Sequence, residues 1–289
     1  MMQYAIITNP VSGHMGVDQK RAALEPAAQI LKAEIHGLDT ATSEQFMQCA
    51  RELAGRCDVL VAAGGDGTLS DVINAVDTSR ICMAYLPLGS GNAFAHALHY
   101  RGRLIDMATR ILEGEIHEYD LISCDGKRRA FTASLGFEGA VIRLREHYVA
   151  RGMKGMKAYI KALRDAYFVR YKRTDAAVVL DGETFQVPNL FSLMVVKQPY
   201  YGYGLKVVPR ARFDDRRLHI LHTNAGLFSI CVGLATAFFI GNPIGHYRRG
   251  EHLHVVAEKP LPLQVDGNFA WEASAFSFEV LKKALRIKC

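Results

Sequence analysis

Five short apolar runs in the first 125 residues alternate with segments whose apolar positions recur every three or four residues. That alternation predicts a parallel sheet flanked by helices, an α/β domain. Residues 4–8, 33–37, 59–63, 83–86 and 116–123 read as strands, and 19–33, 43–53, 69–76, 93–98 and 104–112 as helices. From about Ala130 the rhythm changes. Residues 131–135, 176–180, 190–196, 218–222, 252–256 and 261–265 read as strands separated by Gly, Asp and Pro turns, with few helices between them. The change predicts a domain boundary near residue 125, giving a first domain of 1–125 and a second of 126–275. Residues 276–289 form a last strand or short helix that packs back on the first domain.

The run from Ala225 to Ile240 holds sixteen uncharged residues, short of the roughly twenty that span a bilayer, and predicts a buried or interfacial helix. With 49% hydrophobic and 22% charged residues, the 289-residue chain has the composition of a folded soluble protein. Its net charge of +6 suits anionic partners: nucleotides, anionic lipid surfaces or nucleic acid. No platform of interleaved basic and aromatic residues is recognisable, so nucleic acid is set aside. The cysteines, at 49, 57, 82, 124, 231 and 289, form no CxxC pair and read as reduced thiols of a cytosolic protein. The N-terminus has neither the basic nor the long apolar region of an export signal. His96, His99, His246, His252 and His254 show no metal-ligand spacing and read as structural or surface residues.

Three of the expected strands end in small, polar, glycine-containing loops: Asn9 to Gly13, Gly64 to Thr68, and Gly89 to Asn92. Gly64, Gly65 and Gly67 carry no Cβ to fend off a polyphosphate, so their N–H groups, and those opening the next helix, can face anionic oxygens. Asp66 offers a carboxylate for Mg²⁺ or a proton, and Thr68 a hydroxyl. Each loop alone reads equally as a turn. Their repetition where ligands bind in open α/β sheets favours a nucleotide site.

Together these loops resemble the diacylglycerol kinase catalytic domain family, which includes sphingosine and ceramide kinases and is related to NAD kinases. The matching residues are Asn9-Pro10-Val11-Ser12-Gly13, Gly64-Gly65-Asp66-Gly67-Thr68 and Pro87-Leu88-Gly89-Ser90-Gly91-Asn92. Further matches are Leu135-Gly136-Phe137, Tyr201-Gly202-Tyr203-Gly204 with Pro209 and Ala211, Asp214-Asp215, and Val265-Asp266-Gly267. The resemblance implies a Rossmann-like N-terminal domain, a C-terminal antiparallel β-sandwich and an ATP-dependent kinase with the nucleotide in the cleft between them. It places Asn9, Ser12 and Gly13 along the nucleotide, Gly64, Gly65, Gly67 and Thr68 on its phosphates, and Gly89, Ser90 and Asn92 near the nucleoside. Asp66 would serve near Mg²⁺ and the acceptor hydroxyl of a diacylglycerol, sphingoid or related lipid alcohol. It further implies a cytoplasmic protein, peripheral at the inner membrane face, and leaves a homodimer open.

The sequence also departs from that family. Where the family has Asp-Gly-Glu, with the Glu a candidate general base, this chain has Asp266-Gly267-Asn268, and a carboxamide accepts no proton. Asp66 or Asp266 then takes that role, or activity is weak, or the substrate differs. A nucleotide- and lipid-binding protein of the same fold with reduced kinase activity is the second reading, and an NAD or other small-molecule kinase the third. Asp214 and Asp215 match a structural Mg²⁺ loop of bacterial members, but Arg216 stands where glycine is common and His219 near an expected Asp. That arginine could replace the ion with a salt bridge. Ser70-Asp71 follows where Asn-Glu is frequent, and Ala93 resembles sphingosine-kinase-like members.

Between Arg143 and Arg173 stand ten Lys or Arg against Glu146 and Asp165. Lys154, Lys157, Lys161 and Arg164 make a cationic stripe, and Met156, Ile160, Leu163 and Tyr167 an apolar one. Such a helix lies on an anionic bilayer, or it turns its apolar stripe to the core and its charges to water.

Overall fold

The computed structural model describes residues 2–153 and 155–289, and the chain forms two compact units. The first holds the chain up to Asp120 together with Tyr200–Leu205 and Lys282–Cys289. Its strands are β1 (Tyr4–Thr8), β2 (Glu34–His36), β3 (Val59–Gly64) and β4 (Cys82–Pro87), all parallel, in the order β2-β1-β3-β4. Arg286 and Ile287, near the chain's end, add a further parallel strand beside Cys82 and Met83 of β4. Ile6, Ile7, Val59, Leu60, Val61 and Met83 are fully buried, as strands covered on both faces must be. The helices are α1 (Val17–Leu31), α2 (Ser43–Ala54), α3 (Asp66–Ala75), α4 (Ala93–Ala97) and α5 (Leu104–Glu113). Thr42 caps α2 by accepting the Gln45 amide at 3.2 Å. Helix α3 starts at Asp66, three residues earlier than its apolar periodicity predicts, so the glycine turn is itself the junction of β3 and α3.

Strand β5 (Ile116–Cys124) leads into the second unit, Leu121–Pro199 and Lys206–Leu281, which is built of antiparallel strands. In chain order these are β6 (Arg128–Ala130), β7 (Thr132–Gly136), β8 (Thr174–Leu180), β9 (Glu183–Leu190) and β10 (Ser192–Val196). The short β11 (Tyr200–Tyr201), which belongs to the first unit, and β12 (Leu205–Lys206) follow, then β13 (Leu218–Thr223), β14 (His246–Gly250), β15 (His252–Val265) and β16 (Asn268–Lys288), whose residues from Lys282 on belong to the first unit. Strand β15 serves two layers: Leu253 to Ala257 pair with β8, and Leu263 to Val265 with β7. Its register shifts between Val256 and Leu261, around Pro260, which gives no ladder donor. Residues 252–256 and 261–265, expected as two strands, are thus one bent strand. Side chains such as Val178, Leu193, Val195, Ile220, Val255 and Phe276 form the core of this unit.

Of the strands longer than three residues, two escaped the sequence pattern, β9 and β14. Both are polar, and among the described residues β9 pairs only β8 and β14 only β13. Helix α6 (Phe137–Ala150) follows β7 directly, α7 (Gly155–Asp165) runs on into a π-turn at Ala166–Arg170, and α8 (Leu227–Ala237) occupies the uncharged run.

Candidate functional site

The junction of β3 and α3 is tightly packed around its glycines. A Cβ on Gly64 would lie 2.5 Å from the Thr68 side chain, and one on Gly89 would lie 2.5 Å from the Cα of Gly65. The loops after β3 and β4 therefore touch backbone to backbone. Leu88 donates its amide to the Gly64 carbonyl at 2.9 Å, and the Tyr85 hydroxyl donates to the same oxygen at 3.0 Å. With that carbonyl held inward, the opening amides of α3 remain outside the intrahelical ladder, where a helix attracts anions. The Thr68 hydroxyl is buried and has no hydrogen-bond partner among the described residues, and neither has that of Thr8 at the end of β1. Cβ-free turns and an orphaned hydroxyl are what a nucleotide phosphate group would fill and satisfy.

Asp66 faces away from its own helix. Its two carboxylate oxygens accept the amides of Ala93 at 2.9 Å and Phe94 at 3.0 Å, capping α4. Burial raises the carboxyl above the ordinary Asp value, against the lowering effect of the Phe94 and Ala93 amides. The Asp66 amide itself is a third backbone donor to the carboxylate, which leaves acceptor capacity for one more partner, a cation or a hydroxyl. Asn92, in the left-handed region at φ 43°, turns its side chain onto its own loop: its Oδ1 accepts the Gly89 amide at 3.0 Å and its Nδ2 donates to the Gly89 carbonyl at 2.6 Å. The Tyr201–Gly204 motif also belongs here. The Tyr203 amide donates to the Gly91 carbonyl at 2.8 Å, and Gly202 lies against Gly91 so closely that a Cβ on either would be under 3.5 Å from the other's Cα.

The first loop, Asn9 to Gly13, is organised by a residue that sequence reasoning missed. Lys20 on α1 is 2% exposed, and its Nζ donates to the carbonyls of Asn9 (2.5 Å), Pro10 (3.0 Å) and Ser12 (2.6 Å). Drawing three carbonyls to one ammonium shapes the loop from within, and Gly13 completes it at φ 72°. Asn9 accepts the Val11 amide through Oδ1 at 3.0 Å, and the Ser12 hydroxyl donates to the Asn9 carbonyl at 3.0 Å. A lysine within a polar helix reads as solvated, and only its burial marks the difference.

Gly67 and Ser90 lie in the first unit with these loops, and the expected site residues Asp214, Asp215, Asp266 and Asn268 lie in the second. Asp266 (φ 47°) and Gly267 (φ 84°) form the two-residue turn between β15 and β16, and Asn268 opens β16. Asp266 Oδ1 accepts the amides of Phe131 at 3.1 Å and Thr132 at 2.9 Å, holding the turn against the start of β7. Asp214 pairs with exposed Arg212 at 3.3 Å. Asp215 lies 2.8 Å from the ammonium of Lys197, a fully buried side chain, which also donates to the Arg217 carbonyl at 2.7 Å. His219 adds a contact at 3.1 Å. A salt bridge does stand at Asp215, and its cation there is Lys197. Burial raises the Asp215 carboxyl, but the Lys197 bond and charge outweigh it and hold the group below the ordinary Asp value. A carboxylate already bearing an ammonium does not fit a structural Mg²⁺, and no three or more His, Cys, Asp or Glu among the described residues are grouped to hold a metal ion. Glu138, in the first turn of α6, is a further carboxyl that sequence reasoning missed: burial pushes it up to about 7, and the Ser192 hydroxyl donates to it at 2.6 Å.

Comparison with known proteins finds two family matches along the chain. Residues 3–124 match the profile of the diacylglycerol kinase catalytic domain, and 132–289 that of the YegS C-terminal NAD kinase beta sandwich-like domain. The chain belongs to the diacylglycerol kinase catalytic domain family, with a YegS-type C-terminal domain. It is 27% identical to a diacylglycerol kinase of Staphylococcus saprophyticus over 274 residues, 91% of this chain and 88% of the relative. With the diacylglycerol kinase of Staphylococcus carnosus it shares 24% over 298 residues, 98% of this chain and 93% of the relative. Among solved structures, a putative diacylglycerol kinase from Bacillus anthracis superposes with a TM-score of 0.77 at 17% identity, covering 99% of this chain and 97% of that one. An NAD kinase from Archaeoglobus fulgidus in complex with ATP superposes at 0.52 and 14% identity, covering 99% and 93%. The fold is thus the one shared by diacylglycerol and NAD kinases, an α/β unit with a parallel sheet and a β-sandwich-like unit.

Proposed function

We propose that this protein is an ATP-dependent lipid kinase that transfers the γ-phosphate of ATP to a hydroxyl of a diacylglycerol, sphingoid or related lipid alcohol. The observation that carries this reading is the glycine junction of β3 and α3, packed against the Gly89 loop and beside the unpartnered Thr68 hydroxyl, in a chain of this family. Phosphoryl transfer needs positioning and charge neutralisation more than covalent help from the protein. Gly64, Gly65, Gly67 and Thr68 would hold phosphates through amides and a hydroxyl, and the Lys20-shaped loop would line the nucleotide. Gly89 and Ser90 would approach the nucleoside, with Asn92 fixing their loop. Bound Mg²⁺ would neutralise phosphate charge, and Asp66 is the carboxylate of the loop site that would face it, phosphates and water completing the shell. Asp66 would also orient the acceptor hydroxyl, since Asn268 takes no proton.

The acceptor would be drawn from the inner face of the cytoplasmic membrane. Lys157, Lys161 and Arg164 support this as a basic surface on α7; Lys154, expected beside them, lies outside the described residues. Asn268 favours a second reading, a nucleotide- and lipid-binding protein with reduced kinase activity. Incubating the purified chain with ATP, Mg²⁺ and a panel of lipid alcohols separates the two: a phosphorylated lipid supports the kinase, whereas intact ATP binding without any phosphorylated product supports the binding protein.

A further inference from the structure

Helices α7 and α8 are amphipathic the wrong way round. On α7 the buried residues are the small Ala158 and Ala162, while Met156 (57%), Ile160 (60%) and Leu163 (42%) stand exposed. Tyr167 of the apolar stripe packs on the core, but Met156, Ile160 and Leu163 do not enter it as the solvated-face reading requires. The same inversion recurs on α8, whose buried residues are Gly233 and Ala237, while Phe228 is 83% exposed and Leu234 51%. Two further exposed groups extend each helix: Phe168 (70%) and Val169 (62%) in the π-turn, and Phe239 (88%) and Ile240 (78%) after α8.

These elements adjoin within the second unit. Ile230 of α8 packs on the cluster of Phe137, Ala162, Ala166 and Phe191 that seats α7 and the π-turn. Arg173 ties the end of the π-turn to the start of α8, donating to the carbonyls of Asn224 at 2.5 Å and Ala225 at 2.6 Å. Soluble monomers seldom leave so many large side chains bare over adjoining elements, and such patches mark contact surfaces. The charges beside this one select the partner. From His147 to Thr174 the only acid is Asp165, already bonded to Lys161, Arg164 and the Tyr148 hydroxyl, while Lys157, Arg170 and Lys172 stand exposed. A second copy of the chain would bring these cations against their own kind. An anionic lipid surface complements both the apolar groups and the charge.

We propose that α7, the π-turn and α8 form a membrane-insertion face, with Phe228, Phe239 and Ile240 entering the acyl boundary of an anionic bilayer and Lys157, Arg170 and Lys172 meeting lipid phosphates beside them. The proposal rests on the lipid-kinase reading for its purpose, and goes beyond the basic stripe by assigning the apolar anchor to α8. Flotation of the full chain with phosphatidylcholine vesicles, with and without phosphatidylglycerol, tests it in the absence of ATP. Parent protein is expected to float with the anionic vesicles, less so at high salt. The combined variant Phe228→Ser, Phe239→Ser, Ile240→Ser is expected to lose at least tenfold in affinity while keeping its melting temperature and ATP binding. The variant Lys157→Gln, Arg170→Gln, Lys172→Gln should lose its preference for anionic vesicles. Parent that does not bind vesicles, serine variants that bind as parent does, or a parent dimer that the serine variants dissolve, each overturns the proposal. Phosphorylation of a water-soluble short-chain lipid alcohol reads the kinase separately, so failure of one reading is not mistaken for failure of the other.

Discussion

The carboxylate of Asp66 accepts the backbone amide of Phe94 at 3.0 Å, 28 positions further along the chain. With the Ala93 amide on its other oxygen, it fastens the glycine turn after β3 to the loop after β4, so one side chain both caps α4 and belongs to the proposed phosphate cradle. Asp66→Asn keeps one acceptor oxygen but sets an NH₂ against an amide. We expect a loss of roughly 1–3 kcal/mol in stability and at least tenfold in ATP affinity, measured by thermal unfolding and calorimetric titration. An unchanged variant would remove Asp66 from the site.

The contact between Gly65 and Gly89 leaves no room for a methyl group. On Gly89→Ala the new Cβ meets the Gly65 Cα at 2.5 Å, which is backbone, and the Asn92 Oδ1 at 2.7 Å, a side-chain atom held by the Gly89 amide. Nucleotide binding should fall below detection. Gly55→Ala, whose Cβ has ordinary contact at 3.6 Å, should leave binding and stability as they are.

Replacing Lys20 by Met strips the Asn9, Pro10 and Ser12 carbonyls of their shared donor. The expected cost is roughly 1–3 kcal/mol, accompanied by faster hydrogen exchange in residues 9–13 and weaker ATP binding. Exchange unchanged in that loop would show that its shape is held by other means.

Lys197 and Asp215 predict a response to chelators. Because an ammonium sits at Asp215, EDTA should leave the melting temperature of the nucleotide-free protein where it was. Asp215→Ala strands a buried charge and should cost about 3–5 kcal/mol. A large drop in melting temperature with EDTA would place a resident metal in the fold.

Glu138 gives stability a slope with pH. Its carboxyl rises from 4.5 to about 7 on folding, so the native state holds its proton more tightly than the unfolded chain does. The contribution is present in full below about 4.5 and is lost as pH climbs towards 7. Glu138→Gln cannot lose that proton, so its melting temperature should exceed the parent's by roughly 2–6 °C at pH 8 and match it near pH 4. An equal offset at both values would assign the difference to packing instead.

The parallel sheet was legible because β1, β3 and β4 are continuous apolar runs, each ending in a turn whose residue types announce it. Local pattern could not show what depends on distant chain. Residues 200–205 leave the second unit's sequence to pack on Gly91, and Lys20 looks like any helical lysine until three carbonyls surround it. Periodicity found the apolar stripe of α7 but not its direction, because the buried residues of the helix are Ala158 and Ala162 while Met156, Ile160 and Leu163 stand outside. Asp266 stood out by motif, and its left-handed backbone with two amides on one oxygen gives it a fold role that the motif alone does not reveal.

The most direct measurement is phosphate transfer itself: purified protein, γ-labelled ATP, Mg²⁺ and diacylglycerol or sphingoid acceptors in mixed micelles, with the lipid fraction extracted and counted, beside Asp66→Asn and Asn268→Glu variants. We expect label in at least one lipid alcohol, lost in Asp66→Asn and undiminished in Asn268→Glu. No label in any lipid from protein that still binds ATP, with turnover appearing only in Asn268→Glu, would contradict a working kinase and leave the binding protein in its place.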